Sequence, residues 1–271
     1  MDSSTIYAQV SVRYSAAATD NNATHSNTVA KAFGYSEEEL ESIPKDSNLG
    51  LSCGNPLALA TLREGETVLD FGSGAGFDVF LAAKRVGPTG IAIGIDMNKD
   101  MLAKARSICA SSGNQNVEFV EASITDIPLP SASADCIISN CVVNLVPHTD
   151  KQLVFSEMHR LLRPGGRVAI SDILARKPLP ESIQQSMSLY VGCIAGAGEV
   201  ADYQRYLEVA GFQDIVITNT GSDLNVYLEG ANNECCGDSA GSQAAQAMKD
   251  DLKQANLNEW AGSFRIYAVK S

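Results

Sequence analysis

A short apolar run passes directly into a glycine-rich turn in Val68-Leu69-Asp70-Phe71-Gly72-Ser73-Gly74-Ala75-Gly76. The run from Thr67 to Phe71 predicts a buried strand, and residues 76–86 predict the helix that follows it. Glycines in the turn allow a ligand to approach the main chain closely. This order of strand, turn and helix therefore predicts a ligand site at the carboxyl end of the strand.

The alternation of strand and helix continues along the chain. Apolar runs predict further strands at 91–95, 117–121, 136–138, 167–171, 215–217 and 264–269. Helical patterns are expected at 99–112, at about 150–163, before the turn Pro164-Gly165-Gly166, and at 199–210. Such repeated units predict an α/β fold that is doubly wound, with a mostly parallel sheet and helices on both faces.

The chain divides into three parts by composition. Residues 1–50 are polar with weak helical patterning, and we interpret them as an N-terminal lid segment. Residues 51–220 form the expected ligand-binding core. Residues 221–271 are interpreted as a C-terminal extension with a flexible loop at 230–245, a helix at about 242–256 and the final core strand.

Charge and hydropathy narrow the classes of function. The 271 residues include 20 lysines and arginines against 32 aspartates and glutamates, which gives a formal net charge of −12. This balance argues against nucleic acids and anionic membranes as partners, because both require basic surfaces. No apolar run approaches the roughly 20 residues of a membrane span, and no secretory leader is visible. We therefore expect a cytoplasmic protein.

An acidic residue at the end of the second strand refines the expected ligand. Asp96 lies about 20 residues after the turn, where a carboxylate accepts hydrogen bonds from ribose hydroxyls. A dinucleotide motif needs a third glycine at the position that Phe77 occupies. Asp70 beside the turn is expected to repel phosphate and to favour an amino group or a sulfonium. These residues predict a nucleoside ligand without a pyrophosphate.

Three segments together resemble the class I S-adenosylmethionine-dependent methyltransferases. They are Val68–Gly76, the strand end Gly94-Ile95-Asp96-Met97, and Leu162-Arg163-Pro164-Gly165-Gly166-Arg167. The resemblance implies a seven-stranded sheet with an antiparallel last strand, and S-adenosyl-L-methionine as cofactor. The cofactor-binding residues expected from these segments are Asp70, Gly72, Ser73, Gly74, Gly76, Asp96 and Met97. Ile124, after the third strand, is expected by its position to lie against the adenine, and Asn140 is expected to contact the methionine end.

Cysteines, rather than histidines, lie where the residues that hold the methyl acceptor are expected. The chain has three histidines, and none of them is a good candidate for a catalytic base. Cys141 follows the fourth strand, Cys193 lies in a glycine-rich stretch after the fifth, and Cys53 lies in a turn before the first. These three thiols are candidates to converge on one thiophilic centre.

The segments around these cysteines, above all Ser139-Asn140-Cys141-Val142-Val143-Asn144-Leu145-Val146-Pro147, resemble arsenite methyltransferases. The resemblance implies that Cys53, Cys141 and Cys193 are catalytic and bind trivalent arsenic, with arsenite or methylarsenite as substrate. It also implies a thiol reductant, thioredoxin or glutathione. The chain departs from the family in two respects. Residues 15–50 contain no fourth thiol to pair with Cys53, and 230–260 resembles an insertion.

Several alternatives remain open. Cys109 and Cys136 are interpreted as packing residues, and the adjacent pair Cys235-Cys236 either captures arsenite or is an incidental surface pair. The chain could instead methylate carbon or oxygen of a small organic acceptor. It could also be a thiol-based metalloid-binding protein without catalysis, although the intact glycine turn and Asp96 argue against that.

Overall fold

The computed structural model describes residues 2–19, 23–179, 195–225 and 256–271. Their helices are α1 (Ser3–Thr19), α2 (Ala23–Ala32), α3 (Glu37–Glu41), α4 (Leu57–Ala60), α5 (Phe77–Val86), α6 (Lys99–Ser112), α7 (Lys151–Leu161) and α8 (Val200–Ala210). The strands are β1 (Thr67–Phe71), β2 (Ile91–Asp96), β3 (Val117–Glu121), β4 (Ala134–Asn140), β5 (Leu162–Ala175), β6 (Phe212–Asn219) and β7 (Ala261–Lys270).

The seven strands form one sheet in the order β3-β2-β1-β4-β5-β7-β6. Strands β1 to β5 pair in parallel, whereas β7 runs antiparallel to both of its neighbours, β5 and β6. The prediction of a mostly parallel seven-stranded sheet with an antiparallel last strand is confirmed. The strand order reverses between β1 and β4, and ligands of such sheets bind in the crevice at this point.

Neighbouring residues of β1 pack into two different cores, one on each face of the sheet. Val68 packs with the apolar residues of α5, and Leu69 packs with those of α7 and α8. Both faces are therefore covered by helices, and the last four residues of β1 are buried. Burial on both faces explains why this strand is a continuous apolar run and not an alternating one.

Particular residues determine where two of the helices begin and end. Asn98 begins α6, where its side-chain oxygen accepts hydrogen bonds from the main-chain N–H groups of Asp100 and Met101. Gly211 ends α8 in the left-handed conformation, with φ of 98°.

The fifth strand differs from its prediction. It spans Leu162–Ala175, and not only 167–171, because its end pairs with β7 as far as Ala175 and its start at Leu162 pairs with Ala134 of β4. The predicted turn at Pro164-Gly165-Gly166 lies inside this strand as an irregularity, where the pairing with β4 shifts between Ala134 and Cys136. The loop predicted at 230–245 and nearly all of the helix predicted at 242–256 lie outside the described residues.

The N-terminal helix α1 lies against α6 near the carboxyl ends of the strands. The side-chain amide of Asn98 donates to the carbonyl of Ser11 at 2.9 Å, and the Lys104 ammonium donates to the carbonyl of Ala18 at 2.9 Å. Among the described residues, no helix combines the length and apolarity that crossing a membrane requires.

A buried ion pair attaches the segment after α4 to the sheet. Arg167 on β5 contacts both carboxylate oxygens of Glu66, at 2.9 and 2.8 Å, and also donates to the carbonyls of Ala60 and Thr61. The side chains of Arg167 and Glu66 are 10% and 13% exposed. An unpaired charge at such a buried position is destabilising, so removing either partner is expected to lower the free energy of unfolding.

The substitution Glu66→Ala is expected to lower the free energy of unfolding by about 3 kcal/mol, because it leaves the Arg167 charge buried and unpaired. Urea denaturation measures this loss. The matched control is Glu121→Ala, which removes one partner of the exposed pair with Lys99 and is expected to cost less than about 1 kcal/mol. Equal losses in the two variants would contradict the importance of the buried pair.

Candidate functional site

A cavity lies at the carboxyl ends of β1, β2 and β4, beneath α1. Eight of the nine cofactor-binding residues expected from the sequence border it: Asp70, Gly72, Ser73, Gly74, Asp96, Met97, Ile124 and Asn140. The ninth, Gly76, does not border the cavity and forms the start of α5 with φ of 91°. Tyr7 and Tyr14 of α1 border the cavity from above.

The glycine-rich turn is held against the end of β2. The N–H groups of Gly72 and Ser73 both donate to the carbonyl of Ile95, at 2.7 and 3.0 Å. Gly72 has φ of 74°, and a Cβ atom there would overlap the side chain of Val142. Only glycine meets both requirements, because other residues rarely adopt this conformation and all of them carry a Cβ.

The carboxylate of Asp96 is oriented by two main-chain groups. One oxygen accepts from the N–H of Gly74 and the other from the N–H of Asn98, both at 2.8 Å. Burial raises the pKa of Asp96, and these hydrogen bonds offset part of that effect. Each carboxylate oxygen has a second lone pair, so the group can still accept hydrogen bonds from a ligand's hydroxyls.

The cavity is acidic. Asp70, Asp78 and Asp96 border it, and no Lys, Arg or His does so within the described ranges. Burial raises the pKa of Asp70 well above its usual range, and the neighbouring charges of Asp78 and Asp96 add to that effect. A cationic ligand would relieve this repulsion, whereas a phosphate would add to it.

The structure joins two of the three expected site cysteines. Cys53 and Cys141, 88 residues apart in sequence, form a disulfide with their Cα atoms 5.5 Å apart. Cys141 borders the cavity, and its N–H donates to the carbonyl of Ser171 at 2.9 Å. Cys141 has φ of 61°, an uncommon value for a residue with a side chain. The pair lies at the edge of the cavity beside the glycine-rich turn.

The two other cysteines that the structure describes, Cys136 and Cys109, lie away from the cavity. Cys136 is buried within β4, where burial raises the pKa of its thiol to about 12. Cys109 is a half-buried residue of α6. Cys193, the third expected arsenic ligand, and the pair Cys235-Cys236 lie outside the described residues. Within 2–19, 23–179, 195–225 and 256–271, no group of three or more His, Cys, Asp or Glu residues could hold a metal ion.

Asp78 and the residue that hydrogen-bonds to it, Tyr35, were not expected from the sequence. Asp78 in the first turn of α5 borders the cavity, and the hydroxyl of Tyr35 donates to its carboxylate at 2.6 Å. Asp78 follows Gly76 by two residues, so its place after the turn could have suggested it. Tyr35 precedes it by 43 residues, and no sequence spacing connects the two.

A second buried polar network lies behind the Cys141 loop. The carboxylate of Asp172 accepts hydrogen bonds from the Asn144 amide and the Tyr203 hydroxyl, both at 2.8 Å. The ammonium of Lys151 donates to the side-chain oxygen of Asn144 at 3.3 Å. Burial raises the pKa of Asp172 to about 6, although Tyr203 and Lys151 act in the opposite direction.

Comparison of the sequence with known protein families indicates the same fold. The methyltransferase domain family matches residues 62–211, more than half of the chain. The chain belongs to this family. The match covers β1 to β5, the glycine-rich turn and Asp96, so the methyltransferase fold expected from the sequence is confirmed.

Several curated relatives of this chain are named arsenite methyltransferase. An arsenite methyltransferase of Halobacterium salinarum is 47% identical over 188 residues, 69% of this chain and 48% of the relative. One of Aquipseudomonas alcaligenes is 37% identical over 178 residues, 63% of this chain and 50% of the relative. The chain thus spans about half the length of these curated relatives. The resemblance read from the cysteine segments is confirmed as sequence similarity.

A solved structure is similar over most of this chain. The arsenic(III) S-adenosylmethionine methyltransferase of Chlamydomonas reinhardtii is 28% identical, with a TM-score of 0.61. The similarity covers 90% of this chain and 73% of that one.

The pKa of Asp172 predicts how stability depends on pH. Its folded value of about 6 exceeds its ordinary value of 3.8, so the folded protein holds this proton more tightly than the unfolded chain. The resulting stabilisation is complete below pH 3.8 and is lost as the pH rises through about 6. Two pKa units correspond to about 3 kcal/mol.

In Asp172→Asn the fall in unfolding free energy between pH 4 and pH 7 is expected to be smaller than in the wild type by up to about 3 kcal/mol. Urea denaturation across this range measures it. The control is Glu118→Gln at an exposed site on β3, which is expected to keep the wild-type profile. An unchanged profile in Asp172→Asn would refute the raised pKa.

Proposed function

We propose that this chain transfers a methyl group from S-adenosylmethionine to trivalent arsenic held by cysteine thiolates. The observation that carries the proposal is the meeting of Cys53 and Cys141 at the edge of the cavity, beside the turn Gly72–Gly76. A thiol pair in that place provides a soft ligand site next to the expected methyl donor.

The charge and the lining of the cavity are suited to S-adenosylmethionine. The buried carboxylate of Asp70 complements an ammonium or sulfonium group, and Asp96 offers acceptors for ribose hydroxyls. Met97 and Ile124 border the cavity with apolar side chains, which suits a base. The Gly72 turn leaves room for a ligand against the main chain. When bound, this cofactor supplies an electrophilic methyl group.

The proposed role of the thiolates is to hold arsenic, the nucleophile, in line with the methyl carbon. Trivalent arsenic bound by sulfur retains a lone pair, and that pair forms the bond to the methyl carbon while the electrons of the broken carbon–sulfur bond remain on the departing sulfur. No proton is removed from the acceptor, which agrees with a cavity that no histidine borders in the described residues. The contribution of the protein is proximity and alignment. Cys193 is proposed as the third ligand.

Methyl transfer formally oxidises arsenic by two electrons, so a reductant must restore the trivalent state. Conversion of the Cys53 and Cys141 thiolates into a disulfide releases two electrons, which balances this step. A thiol reductant, thioredoxin or glutathione, would then reduce the disulfide by thiol–disulfide exchange. The names of the relatives from Halobacterium salinarum and Aquipseudomonas alcaligenes support arsenite as the substrate.

The substitution Gly72→Ala is expected to weaken S-adenosylmethionine binding at least tenfold, because the new Cβ displaces Val142 or the turn. Titration calorimetry measures the affinity. Gly113→Ala is the matched control. Gly113 has a similar φ of 71°, but a Cβ atom there meets nothing within 4 Å. The control is expected to lose stability and to keep its affinity. Equal affinities in both variants would contradict the proposed cofactor position.

The variants Cys141→Ser and Cys193→Ser are expected to abolish methylation of arsenite, because each removes a sulfur ligand of the acceptor. Purified protein is incubated with methyl-labelled S-adenosylmethionine, a thiol reductant and arsenite, and labelled arsenic species are separated and counted. Cys109→Ser, at a half-buried thiol on α6, is the control and is expected to remain active.

Two results would overturn the assignment. Normal turnover in Cys141→Ser or Cys193→Ser would exclude thiolate-bound arsenic as the acceptor. Bound cofactor with no labelled arsenic in the wild type would instead point to a small organic acceptor.

A further inference from the structure

One side chain connects the cofactor cavity with the turn that carries Cys53. The Asn140 side-chain oxygen accepts a hydrogen bond from the N–H of Cys53 at 3.0 Å. Its amide nitrogen donates to the carbonyl of Gly54 at 2.9 Å and to a carboxylate oxygen of Asp78 at 3.0 Å. Asn140 also precedes Cys141 directly in the chain. A single residue therefore contacts both half-cystines, one through its side chain and the other through its peptide bond.

These partners define the orientation of the Asn140 amide. The N–H of Cys53 can only donate, so it requires the oxygen of the amide. The carbonyl of Gly54 and the carboxylate of Asp78 accept, so they require its nitrogen. If the amide rotated by 180°, all three contacts would be lost. The hydrogen-bond partners therefore fix the Asn140 amide in one of its two possible orientations.

Asp78 and Tyr35 hold the amide from the side of α5. The Tyr35 hydroxyl donates to one oxygen of Asp78, and its oxygen lies 2.9 Å from the Asn140 amide nitrogen, whose two hydrogens are shared among three acceptors. The Tyr35 ring packs edge-on against Phe77 at 4.8 Å between centroids. Tyr35 and Asp78 are 3% and 5% exposed, so water competes little for these hydrogen bonds.

The turn at Cys53 is held at both of its main-chain polar groups. Its N–H is bound by Asn140, and its carbonyl accepts from the hydroxyl of Ser263 on β7 at 2.7 Å. Because of these restraints, the turn gains less conformational entropy when the disulfide is reduced. They therefore raise the effective concentration of one sulfur near the other.

We propose that Asn140 is a positioning residue for the thiol pair, held in orientation by Asp78 and Tyr35, beyond any contact that it makes with the cofactor. It keeps Cys53 at the distance from Cys141 that a shared ligand or a disulfide requires. The consequence for methyl transfer rests on the proposed function, whereas the effect on the two sulfurs does not.

The test measures the equilibrium between the thiol pair and the disulfide in the full chain. Wild type and variants are equilibrated in glutathione redox buffers and quenched with an alkylating reagent. The state of Cys53 and Cys141 is then read by peptide mass spectrometry. Asn140→Asp is expected to shift the equilibrium towards the thiols by at least tenfold, about 30 mV, because its carboxylate faces Gly54 and Asp78 with no donor.

Tyr35→Phe is the milder variant, since it removes one hydroxyl and keeps the ring that packs on Phe77. It is expected to shift the same equilibrium by about threefold. Tyr35 does not border the cavity. If the chain methylates arsenite, this variant is therefore expected to lower kcat and to leave the KM for S-adenosylmethionine unchanged. A merely structural role would not separate these constants.

Asn116→Asp is the matched control. The Asn116 amide donates to two carbonyls, of Ala83 and Gly87, at 2.9 Å each, at the end of the sheet opposite to the cavity. The same chemical change there is expected to lower stability without moving the thiol–disulfide equilibrium.

The proposal is overturned if Asn140→Asp and Tyr35→Phe keep the wild-type equilibrium. If Asn140→Asp fails to fold, Tyr35→Phe decides alone. A wild-type chain that binds the cofactor but does not methylate arsenite would refute the proposed function, and the redox equilibrium would still decide the role of Asn140.

Discussion

The turn after β1 and the loop after β4 pack directly against each other because residue 72 has no side chain. A Cβ atom on Gly72 would overlap Val142, the residue that follows Cys141. This contact sets the distance between the glycine-rich turn and the Cys141 loop. The parallel register of β1 with β4 brings the two strand ends together, and Gly72 allows the loops that leave them to touch. The cavity and the thiol pair are adjacent for this reason.

The same place concentrates negative charge at a cost in stability. Asp70 and Asp78 are buried side chains, and burial raises the pKa values of both. The value for Asp78 rises to about 6, although hydrogen bonds from Tyr35 and Asn140 lower it in part. No described residue with a cationic side chain borders the cavity, and carboxylates kept in such surroundings are typical of a site built for a ligand. They complement a positively charged methyl donor.

Asn140 lies where the two halves of the site meet. It borders the cavity together with Asp70, and its side chain holds the main chain of Cys53. Its support from Asp78 begins at the first turn of α5, directly after the glycine-rich turn. The cavity and the turn that carries Cys53 are therefore joined by short hydrogen bonds between buried or half-buried groups. Such networks gain in rigidity when every member is satisfied.

The sequence by itself determined the sheet and the position of the glycine-rich turn. Apolar runs and glycines at fixed spacing are local patterns, so they located all seven strands, and the family resemblance added the antiparallel direction of β7. The extra length of β5 was missed because its pairing with β7 depends on a strand about 90 residues away. The sequence also identified Cys53, Cys141, Asp70 and Asp96 as candidate site residues.

Only the tertiary structure decided which of these groups meet. The contact of Cys53 with Cys141 joins residues 88 apart, and that of Tyr35 with Asp78 joins residues 43 apart. Neither pair lies on one helix or strand, so no periodicity connects them. Asn140 was expected from the sequence as a cofactor contact, and its bond to Cys53 emerged only from the packing of the turn at 53 against the end of β4. Such contacts depend on how the elements pack, which local patterns do not encode.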